Sequence, residues 1–364
     1  MIDAATSQLS VIDNPAGTCQ TPKKLLSLPG PGAVSGLAVD RNNGTRVFAS
    51  SSADGYIVQV SPEDQEVQGY VKTSGLVLPL GLTATVGNQI FLGDYSTLRV
   101  VDARRNRVTE SVTQTIKGFV DGTGVAAPFT VAPFGQHLVL SDWLDRLIQV
   151  YDPVNHVALA NINTRFLGLG SPLNAIEYRS ETGDPPSILA AHYVAPTAST
   201  PNPTARLVKY SGPEFATKTE LGGPYVFKQF TGLATDGTSY WVADALGGAI
   251  HRFDDAGLGP VVANGLSNPR GLAAYNGRLY VIEMGSFFSP VQQLTSIALS
   301  TGSKTVIEAN IQARPASLAV GDNLVPGVAV DPETGDLYYS ATGDRTLRRI
   351  PRAVVSALEF GTRP

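Results

Sequence analysis

Four side chains carry the proton and oxygen chemistry this sequence can offer, provided the fold gathers them. His192 and Tyr193 adjoin in Ala191-His192-Tyr193, Glu283 follows Tyr280-Val281-Ile282, and Arg270 lies in Pro269-Arg270-Gly271-Leu272. An imidazole titrates near neutrality and burial raises a carboxyl toward the same range, so His192 and Glu283 are candidates for proton handling, with Tyr193 beside them. A guanidinium polarises a carbonyl or holds an enol oxygen, the role expected of Arg270. Each has a plainer alternative: Arg270 paired with a neighbouring carboxylate, and Glu283 as a surface acid with no role.

A second set is aromatic. Tyr95, Trp143, Phe287 and Phe288 all follow apolar strand-like runs, and two insertions, Tyr193 to Thr204 and Met284 to Pro290, leave the same kind of run. Extra loops on a rigid scaffold tend to carry binding. Walls of this kind, with Asn174 and Thr231 as polar contacts, suit a small apolar or aromatic metabolite better than a sugar phosphate. The alternative is that these rings simply pack between structural elements. A third set, Asn174 with Asp94, Asp142 and Asp244, offers oxygen ligands to a hard divalent cation. Aspartate at a turn after a strand more commonly caps the loop.

The elements that must position these groups come from a degenerate repeat. One phrase, a small or turn residue, then Gly, then apolar residues, recurs as Ser35-Gly36-Leu37-Ala38-Val39-Asp40, Leu80-Gly81-Leu82-Thr83-Ala84, Thr231-Gly232-Leu233-Ala234-Thr235-Asp236, Arg270-Gly271-Leu272-Ala273-Ala274 and Pro326-Gly327-Val328-Ala329-Val330-Asp331. Weaker copies are Pro128-Phe129-Thr130-Val131-Ala132 and Leu173-Asn174-Ala175-Ile176-Glu177. A second apolar run follows each copy, such as Tyr240-Trp241-Val242 or Leu279-Tyr280-Val281, and a third strand alternates in most units, as in Leu147-Ile148-Gln149-Val150-Tyr151. Units of roughly 40 to 58 residues built this way predict an all-β chain, a single β-propeller of four-stranded antiparallel blades. The repeats number seven, or six if one is misread.

The last repeat offers three strands, and Lys23-Lys24-Leu25-Leu26-Ser27-Leu28, ahead of the first repeat, is expected to supply its fourth and lock the ring. The expected organisation is an extension over 1–22, the propeller over 23–355 and a tail over 356–364. In such a ring the starts of the innermost strands and the loops from second to third strands meet at one face. That face should therefore collect the candidates from all three sets.

Composition narrows the function classes. Among 364 residues, 43% are hydrophobic and 16% charged, with 37 Gly and 25 Pro, a profile of many turns and short strands. A net charge of −4 argues against nucleic acid as partner. No run approaches the ~18 apolar residues of a membrane helix. Cys19 is the single cysteine, so no intrachain disulfide forms. Met1 to Pro22 lacks the layout of a signal peptide, although a chain trimmed of its signal would look the same. The expected state is a monomer with a small apolar or aromatic metabolite as partner and neither nucleic acid nor membrane.

The Gly-Leu-Ala-Val phrase followed by Asp-Leu-Tyr-Tyr resembles the NHL and SMP-30/gluconolactonase-like propellers, including strictosidine synthase relatives, over roughly residues 24 to 355. The resemblance to gluconolactonases implies hydrolysis of a lactone or ester by one calcium-like cation on the channel axis. Only Asn174 stands where that family places a ligand, while Ser35, Thr231, Arg270 and Pro326 stand where it places acids. The resemblance to strictosidine synthases implies a lone catalytic Glu, for which Glu283 is the match. Fungal natural-product propellers similar to SMP-30 carry out cyclisations, including hetero-Diels–Alder additions, and NHL-type propellers also serve as binding platforms. The expected function is metal-independent cyclisation or addition, or lyase-type chemistry, without a cofactor. The alternatives are metal-dependent hydrolysis and a non-catalytic platform.

Overall fold

The computed structural model describes residues 23–360 except 28–33, 41–45, 52–55, 62–65, 73–78, 85–88, 95–96, 103–106, 114–127, 143–145, 166, 181–182, 200, 227, 286–289, 313–326 and 342–345. Each apolar run of the repeat becomes a strand, and consecutive strands of a blade pair antiparallel, because connections of two to nine residues leave no room for a crossover. Among the described residues the strands form seven sheets, six of four strands and one of five. We number these blades 1 to 7 by their inner strands: Val34–Asp40, Pro79–Ala84, Pro128–Phe134, Ser171–Tyr178, Phe230–Thr235, Pro269–Tyr275 and Val328–Val330. Each inner strand lies against the next, and blade 7 returns to blade 1, so the ring is closed. The chain is an all-β propeller.

Closure uses the strand before the first repeat. Lys23–Ser27 is the outer strand of blade 7 and pairs with Thr346–Ile350, Lys23 opposite Arg349 and Ser27 opposite Thr346. The core is not one mass but a layer at each blade junction. Between blades 4 and 5, Leu189, Ala191 and Leu207 meet Leu233, Val242 and Phe253. Between blades 7 and 1, Tyr338 and Leu347 meet Val47, Ala49 and Val58. Twisted sheets bury both faces this way, which is why the second strands are apolar throughout rather than alternating, as in Leu337–Ala341, buried along its whole length.

The glycine of the repeat has a steric cause. A Cβ on Gly232 would lie 2.5 Å from the Arg270 carbonyl oxygen of the next blade, and one on Gly327 would lie 2.7 Å from Leu37 Cγ. Inner strands converge on the axis, so the closest approach falls at this position.

Two features depart from the sequence reading. A helix, Arg352–Phe360, runs through position 356, where the propeller was expected to give way to a tail. Its Val355 is fully buried in the junction of blades 6 and 7, and its Glu359 accepts hydrogen bonds from Ser296 Oγ (2.7 Å) and Tyr280 Oη (3.0 Å) and pairs with Arg278 and Arg352. In blade 4 a short strand, Tyr225–Val226, adds to Thr204–Ser211. No helix among the described residues is long and apolar enough to cross a membrane.

Candidate functional site

Strand register explains how five of the sequence-selected residues arise. At the start of the inner strands of blades 1 to 6 the register slips, in blade 4 between Pro172 and Asn174, in blade 5 between Phe230 and Gly232, and in blade 6 between Pro269 and Gly271. The skipped residue, Thr231 in blade 5 and Arg270 in blade 6, has no ladder partner. A bulge of this kind re-aims its side chain, here at the rim of the ring. Opposite the residue before each bulge stands the last polar residue of the second strand: Asp94, Asp142, His192, Asp244 and Glu283 oppose Pro79, Pro128, Pro172, Phe230 and Pro269. The sequence thus selected one repeated structural position five times.

In blades 5 and 6 that position staples the incoming loop. Asp244, 0% exposed, accepts at Oδ1 from the amides of Gln229 (3.1 Å) and Gly247 (2.9 Å), and Lys228 Nζ lies 3.5 Å from its Oδ2. Glu283, 4% exposed, accepts at Oε2 from the Ser267 amide (2.7 Å) and at Oε1 from Gln293 Nε2 (3.1 Å) and Thr295 Oγ1. Both carboxylates satisfy backbone donors that the loop would otherwise bury unpaired.

His192 holds the same position in blade 4 but faces inward. It is 0% exposed, with Nε2 3.1 Å from Tyr210 Oη. Burial pulls its pKa down to about 3, so the ring is neutral at physiological pH. Tyr193, half-buried, pairs with Ser171 and Ala205. Among the described residues no hydrogen bond connects His192 to Glu283, and blade 5 stands between their blades.

The structure does bring three of the selected residues into one arc. Asn174 Nδ2 reaches the Thr231 carbonyl at 3.5 Å, and Thr231 Oγ1 donates to the Pro269 carbonyl at 3.1 Å. Arg270 follows, with Nε donating to Asn268 Oδ1 (3.0 Å) and one terminal nitrogen to Gln229 Oε1 (3.4 Å). Its other terminal nitrogen is buried with no hydrogen-bond partner, and Arg270 makes no ion pair with a described residue. Burial draws its pKa down to about 10, which leaves it charged at neutral pH. Among the described residues this part-buried cation is held only by amides, with no carboxylate, and it keeps one donor unmatched.

Sequence reasoning missed Gln229, Asn268 and Lys228. A usable signal existed: Gln229 and Asn268 each stand two residues before a bulge residue. Lys228 Nζ also lies 3.5 Å from His251 Nε2, and burial first, then the lysine charge, lowers that histidine's pKa. Tyr95, Trp143, Phe287 and Phe288 lie outside the described residues, as does the side chain of Asp94. No three His, Cys, Asp or Glu side chains converge among the described residues. Asp244 is engaged at Oδ1 by amides and lies beside Lys228, and Asn174 offers its Nδ2 to a carbonyl.

At the opposite end of blades 4 and 5 a groove of about 200 Å³ opens between Tyr178, Thr238, Tyr240, Phe253 and Asp255. Lys209 and Ser180 already hold the Asp255 carboxylate.

Comparison with solved structures finds chains of similar fold. The virginiamycin B lyase of Staphylococcus aureus superposes with a TM-score of 0.63 at 11% identity, over 88% of this chain and 96% of that one. The hydrazine synthase of Kuenenia stuttgartiensis gives 0.59 at 16% identity, over 89% and 96%. At such identities the likeness is one of fold. No family model and no curated protein sequence matches the chain.

The enclosure of His192 has a measurable consequence. Its folded pKa lies below the unfolded value near 6.5, so the unfolded chain binds the extra proton between pH 6.5 and about 3. Stability is therefore complete above pH 6.5 and declines as the pH falls through that window. His192→Gln should flatten part of the decline in melting temperature between pH 7 and pH 4. An unchanged pH profile in the variant would place the titrating group elsewhere.

Proposed function

We propose that the chain is a small-molecule enzyme working at the face where the inner strands of blades 4 to 6 begin, with Arg270 as the group that polarises a substrate oxygen. The observation that carries this reading is the Arg270 guanidinium, part-buried, charged and without a carboxylate partner among the described residues. Such a preorganised positive group does little for folding and stabilises negative charge where it develops in a reaction. The chemistry that fits is metal-independent cyclisation or addition, or lyase-type bond cleavage, in which an oxygen gains negative charge and orientation supplies much of the rate. Proteins of similar fold include one named a lyase and one named a synthase, which supports looking for a reaction here.

Within this reading Asn174 and Thr231 position substrate, and Tyr95, Trp143, Phe287 and Phe288 wall a pocket for a small apolar or aromatic metabolite. Glu283 and His192 take a smaller share than Arg270, because amide donors and Tyr210 already engage them. The resemblance to SMP-30-like propellers belongs to this proposal, as does natural-product biosynthesis.

The test is a screen of polycyclic and terpenoid metabolites for consumption by the purified protein, followed by Arg270→Ala. Turnover should fall by about 10²–10³-fold, the usual loss for one oxyanion-stabilising donor. Undiminished turnover in a folded variant would remove Arg270 from the chemistry.

A further inference from the structure

We infer that the Arg270 site receives a singly charged organic oxyanion, the enolate, phenolate or carboxylate oxygen of a small organic acid. This rests on the reading of the blade 4–6 face as the working site and names the class of its ligand.

The charges around Arg270 can be followed group by group. Asp244, in the preceding blade, is neutralised by Lys228. Glu283, the other carboxylate at this level, has both oxygens occupied, Oε2 by the Ser267 amide and Oε1 by Gln293 and Thr295. Arg270 has only oxygen acceptors of neutral amides, Asn268 at 3.0 Å and Gln229 at 3.4 Å, and a terminal nitrogen with none. A guanidinium loses much of its hydration in such a place, and amide oxygens at these distances return little of it. Of these four charged groups Arg270 is thus the one that combines the lack of an ionic partner with a buried donor that no described residue matches, and an anionic acceptor completes its hydrogen bonding.

Arg270 is part-buried and its unpartnered terminal nitrogen is itself buried, so a ligand reaches the guanidinium by taking the place of Gln229. The long Gln229 contact leaves a terminal nitrogen free to exchange its amide for a better acceptor. The same inventory disfavours a dianion. A phosphate ester would bring a second charge toward Asp244 and Glu283 with no further cation but Lys228, which is already committed. Asn268 matters to the design: it holds a left-handed backbone at φ 55°, tolerated best by Asn among non-glycine residues, and from there its side chain fixes Nε of Arg270. The guanidinium is thereby aimed before any ligand arrives.

The experiment uses 4-nitrophenol, whose ionised form absorbs in the visible, with benzoate and inorganic phosphate as competitors. Bound to the wild-type protein, the probe should show an apparent pKa lowered by about one unit, a tenfold rise in the phenolate-to-phenol ratio at fixed pH. Benzoate should displace it and phosphate should not. Arg270→Gln should return the ratio to that of the free probe, and Arg270→Lys should keep part of the shift.

If benzoate binds in an Arg270-dependent way and the phenol does not, the ligand is a carboxylate and the inference stands. It is overturned if the probe fails to bind and benzoate also fails. Unperturbed ionisation of a bound probe with no effect of benzoate, an equal shift in Arg270→Gln, or preferential binding of phosphate would overturn it as well. Matching melting temperatures in the variants keep the result from reflecting misfolding. An Arg270-dependent shift without any turnover would sink the enzymatic reading and leave the oxyanion site. Turnover of a neutral substrate, lost in Arg270→Ala but indifferent to benzoate, would do the reverse.

Discussion

Replacing Glu359 by alanine should lower the stability of the whole ring by about 3–5 kcal/mol, the cost of removing one partner from a buried ion pair. The Glu359 side chain is fully buried, and it lies between Arg278 (Nε 3.1 Å away) and Arg352 (3.2 Å), with Ser296 and Tyr280 donating to it. The Arg278 side chain is only 13% exposed. Deletion would take the shared carboxylate from two guanidiniums and an acceptor from two hydroxyls at once, and the helix carrying Val355 would lose its anchor. The measurement is chemical denaturation of Glu359→Ala beside wild type, together with proteolysis near residue 352. A loss under 1 kcal/mol would mean that the helix docks through its apolar contacts alone. Glu359→Gln should fall between the two, since it keeps acceptors for the hydroxyls but no charge for the arginines.

Gly232→Ala should be a costly single methyl at the heart of the ring. Its Cβ would meet the Arg270 carbonyl at 2.5 Å, Leu272 Cβ at 3.2 Å and Ala243 Cβ at 3.3 Å. Two of these belong to the neighbouring inner strand and one to the second strand of its own blade, so no flexible side chain can swing away. Blades 5 and 6 must separate, at a cost of about 1–3 kcal/mol by comparison with overpacked cores. Because the displaced backbone is that of Arg270, turnover should drop further than stability does. Thermal unfolding and a rate measurement on the same sample check both halves. A variant as stable and as active as wild type would show that the inner strands have slack at this point.

These contrasts show what a sequence can and cannot display. The Gly-apolar phrase was legible because it is forced by the crowding seen at Gly232 and Gly327, and the closing strand was legible because blade 7 ran out of segments while Lys23-Lys24-Leu25-Leu26-Ser27 had none to pair with. The helix at Arg352–Phe360 was not. A short amphipathic stretch after the last strand looks like any tail until Glu359 finds Arg278, far off in sequence. At the site, the repeat located the right rim but not the division of labour on it. Asp244, Glu283 and His192 share one register position with chemically active side chains, so pattern alone could not distinguish a staple from a catalyst. Only the hydrogen-bond inventory does, and it turns attention from Glu283 and His192 to Arg270, whose bulge and amide neighbours, Gln229 and Asn268, come from loops with no motif.

The pairing of Lys23–Ser27 with Thr346–Ile350 also fixes the order in which the molecule can be born. The strand Lys23–Ser27 must wait for Thr346–Ile350, which has Leu337–Ala341 as its other neighbour, before it is bonded at all. At about 5–20 residues per second that delay is on the order of tens of seconds. Throughout it, a row of unpaired amides is offered to any passing chain, a recognised route to aggregation. The two adjacent lysines at its head, Lys23 and Lys24, are the kind of residue that discourages a wrong partner during such a wait. Translation past Ile350 is therefore the moment at which an open, curved stack of sheets becomes a ring.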